Sequence, residues 1–155
     1  MAKTYAFVCL IFCIRNVFSD FDNEINLDCQ GRTYKNVTLT AYFPSYDEDF
    51  DGGLRDMQGQ LLKTLQDFLD DRNQFVTLAM DEKLQIPYGT NVCIPQLNQH
   101  FGHRIRIQVR DTSSDLTGTG YTRADICVRS ETDSYDIILN EVVTLVFDSV
   151  YNKPI

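Results

Sequence analysis

Residues 78–128 read LAMDEKLQIPYGTNVCIPQLNQHFGHRIRIQVRDTSSDLTGTGYTRADICV, and the fold can be argued from this stretch. Three aspartates in it, Asp81, Asp111 and Asp125, each stand at the edge of a short apolar run typical of a β-strand. Glycine and threonine cluster between the last two aspartates. A carboxylate at a strand end, beside a glycine-rich turn, indicates a polar site on a rigid β scaffold.

Six short strands are predicted along the chain. The clearest covers 104–110, where polar and apolar residues alternate so that Ile105, Ile107 and Val109 face the core. The other five strands are predicted at 37–43, 75–80, 91–94, 124–128 and 142–147.

One long helix is predicted over 54–71, because apolar residues recur there at spacings of three and four. We expect this stripe to pack against the core, and its members are Leu54, Met57, Leu61, Leu65, Phe68 and Leu69. A second, short helix is predicted over 134–139. Six short strands with so few helices favour a mainly β protein built as a small barrel.

The 155 residues fit one domain, and the first of them predict secretion. Residues 1–19 combine a basic Lys3, an apolar run and a small-residue cleavage site at Ser19, as a signal peptide does. The alternative is a buried N-terminal strand or helix. The remaining divisions are an N-terminal arm over 20–36, the barrel domain over 37–148 and a tail over 149–155. We therefore expect a secreted, extracellular protein without membrane contact once the signal is cleaved.

The net charge of −8 argues against nucleic acid as a partner, because phosphate binding needs a basic face. It also argues against adhesion to anionic membranes. The same charge is compatible with neutral or positively charged polysaccharide.

Signal cleavage would leave three of the five cysteines, Cys29, Cys93 and Cys127. In an oxidising compartment they predict one disulfide and one remaining thiol. Cys93 with Cys127 is one option, because both lie on predicted strands of the same motif, and Cys29 with either is the other. If the chain is glycosylated, the acceptor tripeptide that begins at Asn36 is the candidate.

Several of these motifs together resemble a known family. The runs Ala79-Met80-Asp81, Ile86-Pro87-Tyr88-Gly89-Thr90, Val92-Cys93-Ile94-Pro95, Asp111-Thr112 and Ala124-Asp125-Ile126 are similar to the three-aspartate domain. That family is a double-psi β-barrel found in bacterial peptidoglycan lytic transglycosylases. More distantly, the chain resembles expansins and family-45 endoglucanases. The resemblance covers roughly 37–147 and implies a six-stranded double-psi β-barrel with one inserted helix at about 54–71.

The resemblance also implies a site that cleaves glycosidic bonds. Asp125 takes the position of the catalytic acid/base, Asp111 that of its partner, and Asp81 a supporting position. A carboxylate in a partly apolar cleft has a raised pKa and can protonate a glycosidic oxygen. Lytic transglycosylases manage with one such carboxylate, because the sugar's own hydroxyl closes onto the anomeric carbon. The alternative is that these aspartates cap turns at strand ends.

The chain departs from the family pattern after the middle aspartate. The family has Thr-Gly-Gly there, whereas this sequence has Thr112-Ser113-Ser114 and a longer path to Asp125, which we expect to place Asp115 beside the cleft. Losing both glycines removes backbone freedom next to Asp111. The change favours two alternatives: a non-catalytic expansin-like or barwin-like wall binder, or a secreted structural or interaction protein that kept the barrel and lost the site.

Tyr121 and Tyr42 are the candidate substrate-binding aromatics, because the apolar faces of sugar rings stack on aromatic rings. The expected partner is a polysaccharide such as peptidoglycan, chitin or cellulose. No cofactor or metal is expected. The run 47–52 reads DEDFDG, like half a calcium loop, but Gln58 stands where the bidentate glutamate belongs. His100 and His103 lack a third zinc ligand nearby.

Overall fold

The computed structural model describes residues 26–45 and 53–148. The predicted signal peptide, the tail over 149–155 and the calcium-like run over 47–52 lie outside these residues, as does the first part of the predicted arm. Secretion therefore stays a prediction.

Six strands form a closed barrel within the described residues. They are β1 (Gly31–Tyr42), β2 (Val76–Ala79), β3 (Thr90–Cys93), β4 (Ile107–Asp111), β5 (Arg123–Cys127) and β6 (Val142–Asp148). Their order around the wall is β1-β5-β2-β4-β3-β6. The pairs β1–β5 and β2–β4 are parallel, and the other four pairs are antiparallel. The predicted mainly β, six-stranded barrel is confirmed.

Strand β1 begins at Gly31, six residues before the predicted start. Its register against β6 shifts between Tyr34 and Val37, so the strand bulges there. Asn36 lies in the bulge with a φ of 59°, a left-handed conformation that asparagine tolerates better than most residues. Part of the segment predicted as an arm is therefore paired in the barrel wall.

The barrel interior is filled by alternate residues of the strands. Ile105, Ile107 and Val109 are buried as predicted, while Arg106 between them is exposed. Each fully buried aliphatic side chain of this size contributes about 1.5–3 kcal/mol relative to its exposed state. The alternation of the 104–110 segment thus fixes which face of β4 points inward.

The helix predicted over 54–71 is wrong for most of its length, since α1 spans only Leu65–Leu69. Thr64 caps its start by accepting a hydrogen bond from the Asp67 N–H at 3.1 Å. Leu65 and Phe68 of the predicted stripe are buried, whereas three other members are exposed, namely Met57, Leu61 and Leu69.

A turn that begins at Asp56 and ends at Gly59 replaces the first part of that predicted helix. The Asp56 carboxylate accepts backbone hydrogen bonds from Gln58 and Gln60, at 3.0 and 2.9 Å. The Gly59 N–H donates to the Asp56 carbonyl at 2.8 Å, and Gly59 has a φ of 78°. Aspartate in the first position of a turn with glycine in the fourth is a turn signature, and its side-chain bonds compete with helix formation.

Two further short helices complete the fold. Helix α2 spans Pro95–Phe101, begins with Pro95 and ends at Gly102, whose φ is 58°; it was not predicted. Helix α3 spans Glu131–Ser134 and is followed by a 3₁₀ turn at Ile137–Asn140, so these two elements replace the helix predicted over 134–139. In the part of the chain that the structure describes, no helix has the length and apolar character to cross a membrane.

The disulfide joins Cys29 to Cys93, with their Cα atoms 5.6 Å apart. The option of pairing Cys93 with Cys127 is wrong. Cys93 lies on β3 and Cys127 on β5, and β2 and β4 separate these strands in the barrel wall. Strands are about 4.8 Å apart, so that separation exceeds the reach of a disulfide. Cys127 is a buried free thiol.

Candidate functional site

The two aspartates predicted as catalytic flank one residue of β2. Ala79 is in register with Asp125 of β5 on one side and with Asp111 of β4 on the other. Asp125 alternates with Ala124 and Ile126, which are buried in the core, so its side chain points to the outside of the barrel. Two strand spacings separate the aspartates, roughly 10 Å between backbones. Ala79 itself is buried, at 2% exposed.

Asp125 is held by side chains rather than by backbone amides. The Thr40 hydroxyl of β1 donates to its Oδ1, and the Arg123 guanidinium lies 3.8 Å from the same atom. The Asp125 side chain keeps 13% of its surface exposed. Burial raises the pKa of Asp125, although Thr40 and Arg123 oppose that rise. Asp125 therefore keeps its proton to a higher pH than an aspartate in water and still reaches solvent.

Asp111 accepts a hydrogen bond from the Tyr42 hydroxyl at 2.9 Å and one from the Thr112 N–H at 3.0 Å. Burial raises the pKa of Asp111 above its usual value, with these two bonds acting in the opposite direction. Thr112 thus supports Asp111 through its backbone. Tyr42, predicted as a substrate-binding aromatic, uses its hydroxyl to hold the aspartate.

Tyr42 links the site to the free thiol. It is in register with Cys127 across β1 and β5, and its hydroxyl has electrostatic contact with that thiol and with both aspartates. Burial, and then the neighbouring Cys127 and Asp111, hold the pKa of Tyr42 well above its usual value. Burial also raises the pKa of Cys127 to about 12. Four titratable groups therefore share this patch of the barrel wall: Tyr42, Asp111, Asp125 and Cys127.

Asp81 has a different environment and a different role. It is buried, and its carboxylate accepts backbone hydrogen bonds from Lys83 at 3.0 Å, Gly118 at 2.9 Å and Gly120 at 2.8 Å. The Gly120 amide is the largest cause that holds the pKa of Asp81 below its usual value. Asp81 therefore ties the glycine- and threonine-rich loop before β5 to the end of β2.

Asp115 lies in the 3₁₀ turn Ser114–Leu116 of the longer loop and is exposed. Its negative charge contributes to the raised pKa of Asp125. The longer loop thus brings the charge of Asp115 within electrostatic range of Asp125, and its place beside a substrate cleft stays a prediction.

Tyr121 packs away from the aspartates. Its ring stacks on Tyr34 of β1, with centroids 3.8 Å apart and planes at 8°, and meets Phe147 of β6 edge-on at 5.6 Å. One face of Tyr121 is therefore covered by Tyr34. The role of Tyr121 as a sugar platform stays a prediction that only its other face could satisfy.

A polar network beside Asp111 was not predicted. The Asp56 side chain is 1% exposed and accepts a hydrogen bond from the Tyr88 hydroxyl at 2.6 Å. Arg110 lies 3.5 Å from Asp56 and donates to Gln108 at 2.8 Å. The charge of Asp56 adds to the raised pKa of Asp111. The Asp56-to-Gly59 turn signature could have identified the turn, but not the partners that it reaches across the chain.

Metal-ligand side chains do not gather in groups of three or more among the described residues. His100 packs edge-on against Phe101, and His103 does so against Phe68. Asn36 is exposed in its bulge, where a glycan would have room, and its modification stays a prediction.

Comparisons of this chain with models of protein families and with curated proteins find no match. The resemblance to the three-aspartate domain therefore depends on the motif residues themselves. What these residues can do chemically follows from Asp125: a partly exposed carboxyl with a raised pKa can give a proton to an oxygen that approaches from solvent.

Proposed function

We propose that this protein is secreted and acts on a structural polysaccharide by cleaving β-1,4 bonds, with peptidoglycan as the leading substrate. Asp125 would act as the acid/base and Asp111 would assist it. The observation that carries this proposal is the pair of aspartates that flanks Ala79, both with pKa values raised by burial. Raised carboxyl pKa values at one surface patch are typical of acid/base sites.

In the proposed reaction, protonated Asp125 gives its proton to the glycosidic oxygen as the bond to the anomeric carbon breaks. A hydroxyl of the same sugar then bonds to that carbon, and its proton returns to the Asp125 carboxylate. The Arg123 guanidinium, 3.8 Å away, would stabilise the carboxylate between these steps. Asp111, held by Tyr42, would stabilise positive charge on the sugar ring.

The contrast between the aspartates supports a site at Asp125. Asp81 is saturated by three backbone amides, as a structural aspartate is. Asp125 accepts a hydroxyl hydrogen bond instead and keeps surface exposed. If the barrel had kept only a structural role, we would expect backbone amides at both aspartates. The N–H groups of Thr112 and Met57 act on Asp111, whereas no backbone amide of a described residue acts on Asp125.

The Cys29–Cys93 disulfide supports the secreted location, because disulfides persist in oxidising compartments. The partial burial of both aspartates, which limits the approach of a glycosidic bond, favours a second candidate. A non-catalytic, expansin-like wall binder would use the same surface to hold a glycan without cleaving it.

Digestion of purified peptidoglycan, chitin and cellulose tests the proposal. Wild type, Asp125→Asn and Asp81→Asn would be incubated with each polymer, and the products read by mass spectrometry. We expect anhydro-sugar ends from wild type and none from Asp125→Asn. Asp81→Asn should keep detectable release, since Asp81 has no direct role in proton transfer. Binding to a polymer without release by wild type would favour the wall binder, and neither binding nor release would overturn both candidates.

A further inference from the structure

One segment of this acidic protein has no negatively charged residue. Residues 83–110 contain no aspartate or glutamate, although the chain has 22 acidic residues. The same segment holds Lys83, Arg104, Arg106 and Arg110. It forms β3, α2 and β4, and β3 and β4 are neighbours in the barrel wall. Asp56 pairs with Arg110 on this side of the barrel, whereas the segment itself has no carboxylate to offer Arg104 or Arg106.

A cavity of about 360 Å³ opens on this side. Six of its lining residues are Gln74, Phe75, Asn91, Arg104, Arg106 and Gln108, and none of the lining residues carries a carboxylate. The volume falls at the lower end of the range for small-molecule sites, about 300–1,000 Å³. A cavity with two arginines and no acidic group selects for an anion.

The arginines differ in how they are held. The Arg104 guanidinium donates to the Asp28 carbonyl, next to the disulfide at Cys29, so this side chain is anchored at one wall. Arg106 is exposed, and none of the residues in the described part of the chain forms an ion pair or hydrogen bond with its guanidinium. Its fork of N–H donors therefore matches the geometry of a carboxylate or sulfate that enters the cavity.

The remaining lining groups suit a sugar. Asn91 Oδ1 accepts a hydrogen bond from Gln108 at 3.2 Å, which leaves the Asn91 amide hydrogens for a ligand hydroxyl. Arg110 lies over the Phe75 ring at 4.3 Å and also donates to Gln108, so this wall is held in place. The lining amides can hydrogen-bond to sugar hydroxyls, and Phe75 can contact the apolar face of a sugar ring. The arginines can bind an anionic substituent on the same sugar.

We propose that this cavity is a binding site for an acidic sugar unit, with the carboxylate or sulfate of the sugar on Arg106. Polyphosphate fits less well, because it has neither sugar hydroxyls for the lining amides nor an apolar ring face for Phe75. Gln108 precedes Asp111 by three residues on β4, roughly 10 Å along the strand, so the cavity is separate from the aspartate pair. The proposed binding site in the cavity does not depend on glycan cleavage by Asp125.

Calorimetric titration of the full-length protein tests the site. The probes would be a galacturonic acid oligomer, a sulfated oligosaccharide of similar length, a neutral cello-oligosaccharide and a short polyphosphate. Arg106→Gln removes the charge at a surface position and leaves a shorter, polar side chain. Arg72→Gln is the matched control, because Arg72 is exposed in the loop after α1.

We expect at least one acidic sugar to bind more tightly than the neutral oligomer and the polyphosphate. Arg106→Gln should weaken that binding about tenfold, the effect of one lost charge-assisted hydrogen bond, whereas Arg72→Gln and Asp125→Asn should not. The acidic sugar that binds with the higher affinity would identify carboxylate or sulfate as the preferred anion. Failure of both acidic sugars to bind, equal losses in both arginine variants, or tighter Arg106-dependent binding of polyphosphate would overturn the proposal.

Discussion

Asp111 and Asp125 share a register position: each is paired with Ala79, from opposite sides of β2. The parallel pairing of β2 with β4 and the antiparallel pairing of β2 with β5 bring together two residues that are fourteen positions apart in the chain. Their carboxylates both lie in partly buried positions, and burial raises both pKa values. The barrel topology therefore brings these two carboxylates to the same level of the wall, on either side of β2.

The raised pKa of Asp125 predicts how Asp125→Asn changes stability with pH. The folded protein binds the proton of Asp125 more tightly than the unfolded chain, whose aspartates titrate near 3.8. Between 3.8 and the folded pKa, the stability contributed by Asp125 falls as pH rises. The free energy of unfolding of Asp125→Asn, relative to wild type, should therefore increase with pH above about 3.8. Urea unfolding over a pH series measures it, and a flat or falling difference would contradict the raised pKa.

Asp81→Asn provides the contrast, because its stability relative to wild type should change with pH in the opposite direction. Backbone amides lower the pKa of Asp81, so its carboxylate stabilises the fold above pH 3.8, and this contribution is lost as pH falls through the folded pKa. The variant should be less stable than wild type at neutral pH, and the difference should shrink in acid. If both variants show the same trend, the distinction between the two aspartates is wrong.

Asp81 should also control the order of the loop before β5. Its carboxylate accepts hydrogen bonds from the N–H groups of Gly118 and Gly120, whose φ angles are 84° and 60°. We expect Asp81→Ala to speed hydrogen exchange at these two amides by at least about tenfold, because both lose their acceptor. Asp115→Ala, in the same loop, serves as control and should leave these amides unchanged. Unaltered exchange in Asp81→Ala would show that another group holds the loop.

The strands could be predicted from the sequence better than the helices, for a physical reason. The 104–110 segment alternates against one core, so its pattern and its burial agree, although strand β4 itself begins only at Ile107 and ends at Asp111. Over 54–71 the apolar spacing suits a helix, but Asp56 and Gly59 stabilise a local turn, and Leu61 ends up exposed. Helix α2 was missed although Pro95 and Gly102 bracket it, since both can also mark a loop.

The candidate site, too, could be predicted only in part from the sequence. The aspartates could be selected from their positions at strand ends, but the hydrogen-bond partner of Asp125 could not. Thr40 lies 85 residues away, and only the parallel β1–β5 pairing brings it to Asp125. The partner of Cys93 in the disulfide could not be predicted for the same reason, since the barrel order decides that Cys29 and not Cys127 reaches Cys93.

The disulfide should contribute a large part of the stability. It closes a loop with a sequence separation of 64 residues, for which the chain-entropy model gives about 4 kcal/mol. We expect the free energy of unfolding of the Cys29→Ser/Cys93→Ser variant to be lower than that of wild type by about this amount. Denaturant unfolding of wild type, with and without reductant, provides the comparison. A loss below about 1 kcal/mol would contradict a stabilising role.

The free thiol of Cys127 should not react in the folded protein. It is fully buried, and burial raises its pKa to about 12, so the thiolate that alkylating reagents need is scarce. Iodoacetamide at about pH 8 should leave Cys127 unmodified in native protein and modify it fully in denaturant. Mass spectrometry of peptides reads the result, and rapid labelling of the native state would contradict the buried placement.

The most direct test of the proposed acid is to titrate Asp125 and compare the result with activity. The side-chain carboxyl carbon of Asp125 would be followed by NMR across pH, with Asp125→Asn used to assign the signal, and glycan release would be measured over the same range. The account predicts a pKa above 3.8 for Asp125, and a fall in kcat/KM at the same pH, because the acid must be protonated to act. A pKa at or below 3.8, or glycan release that does not follow this titration, would contradict it.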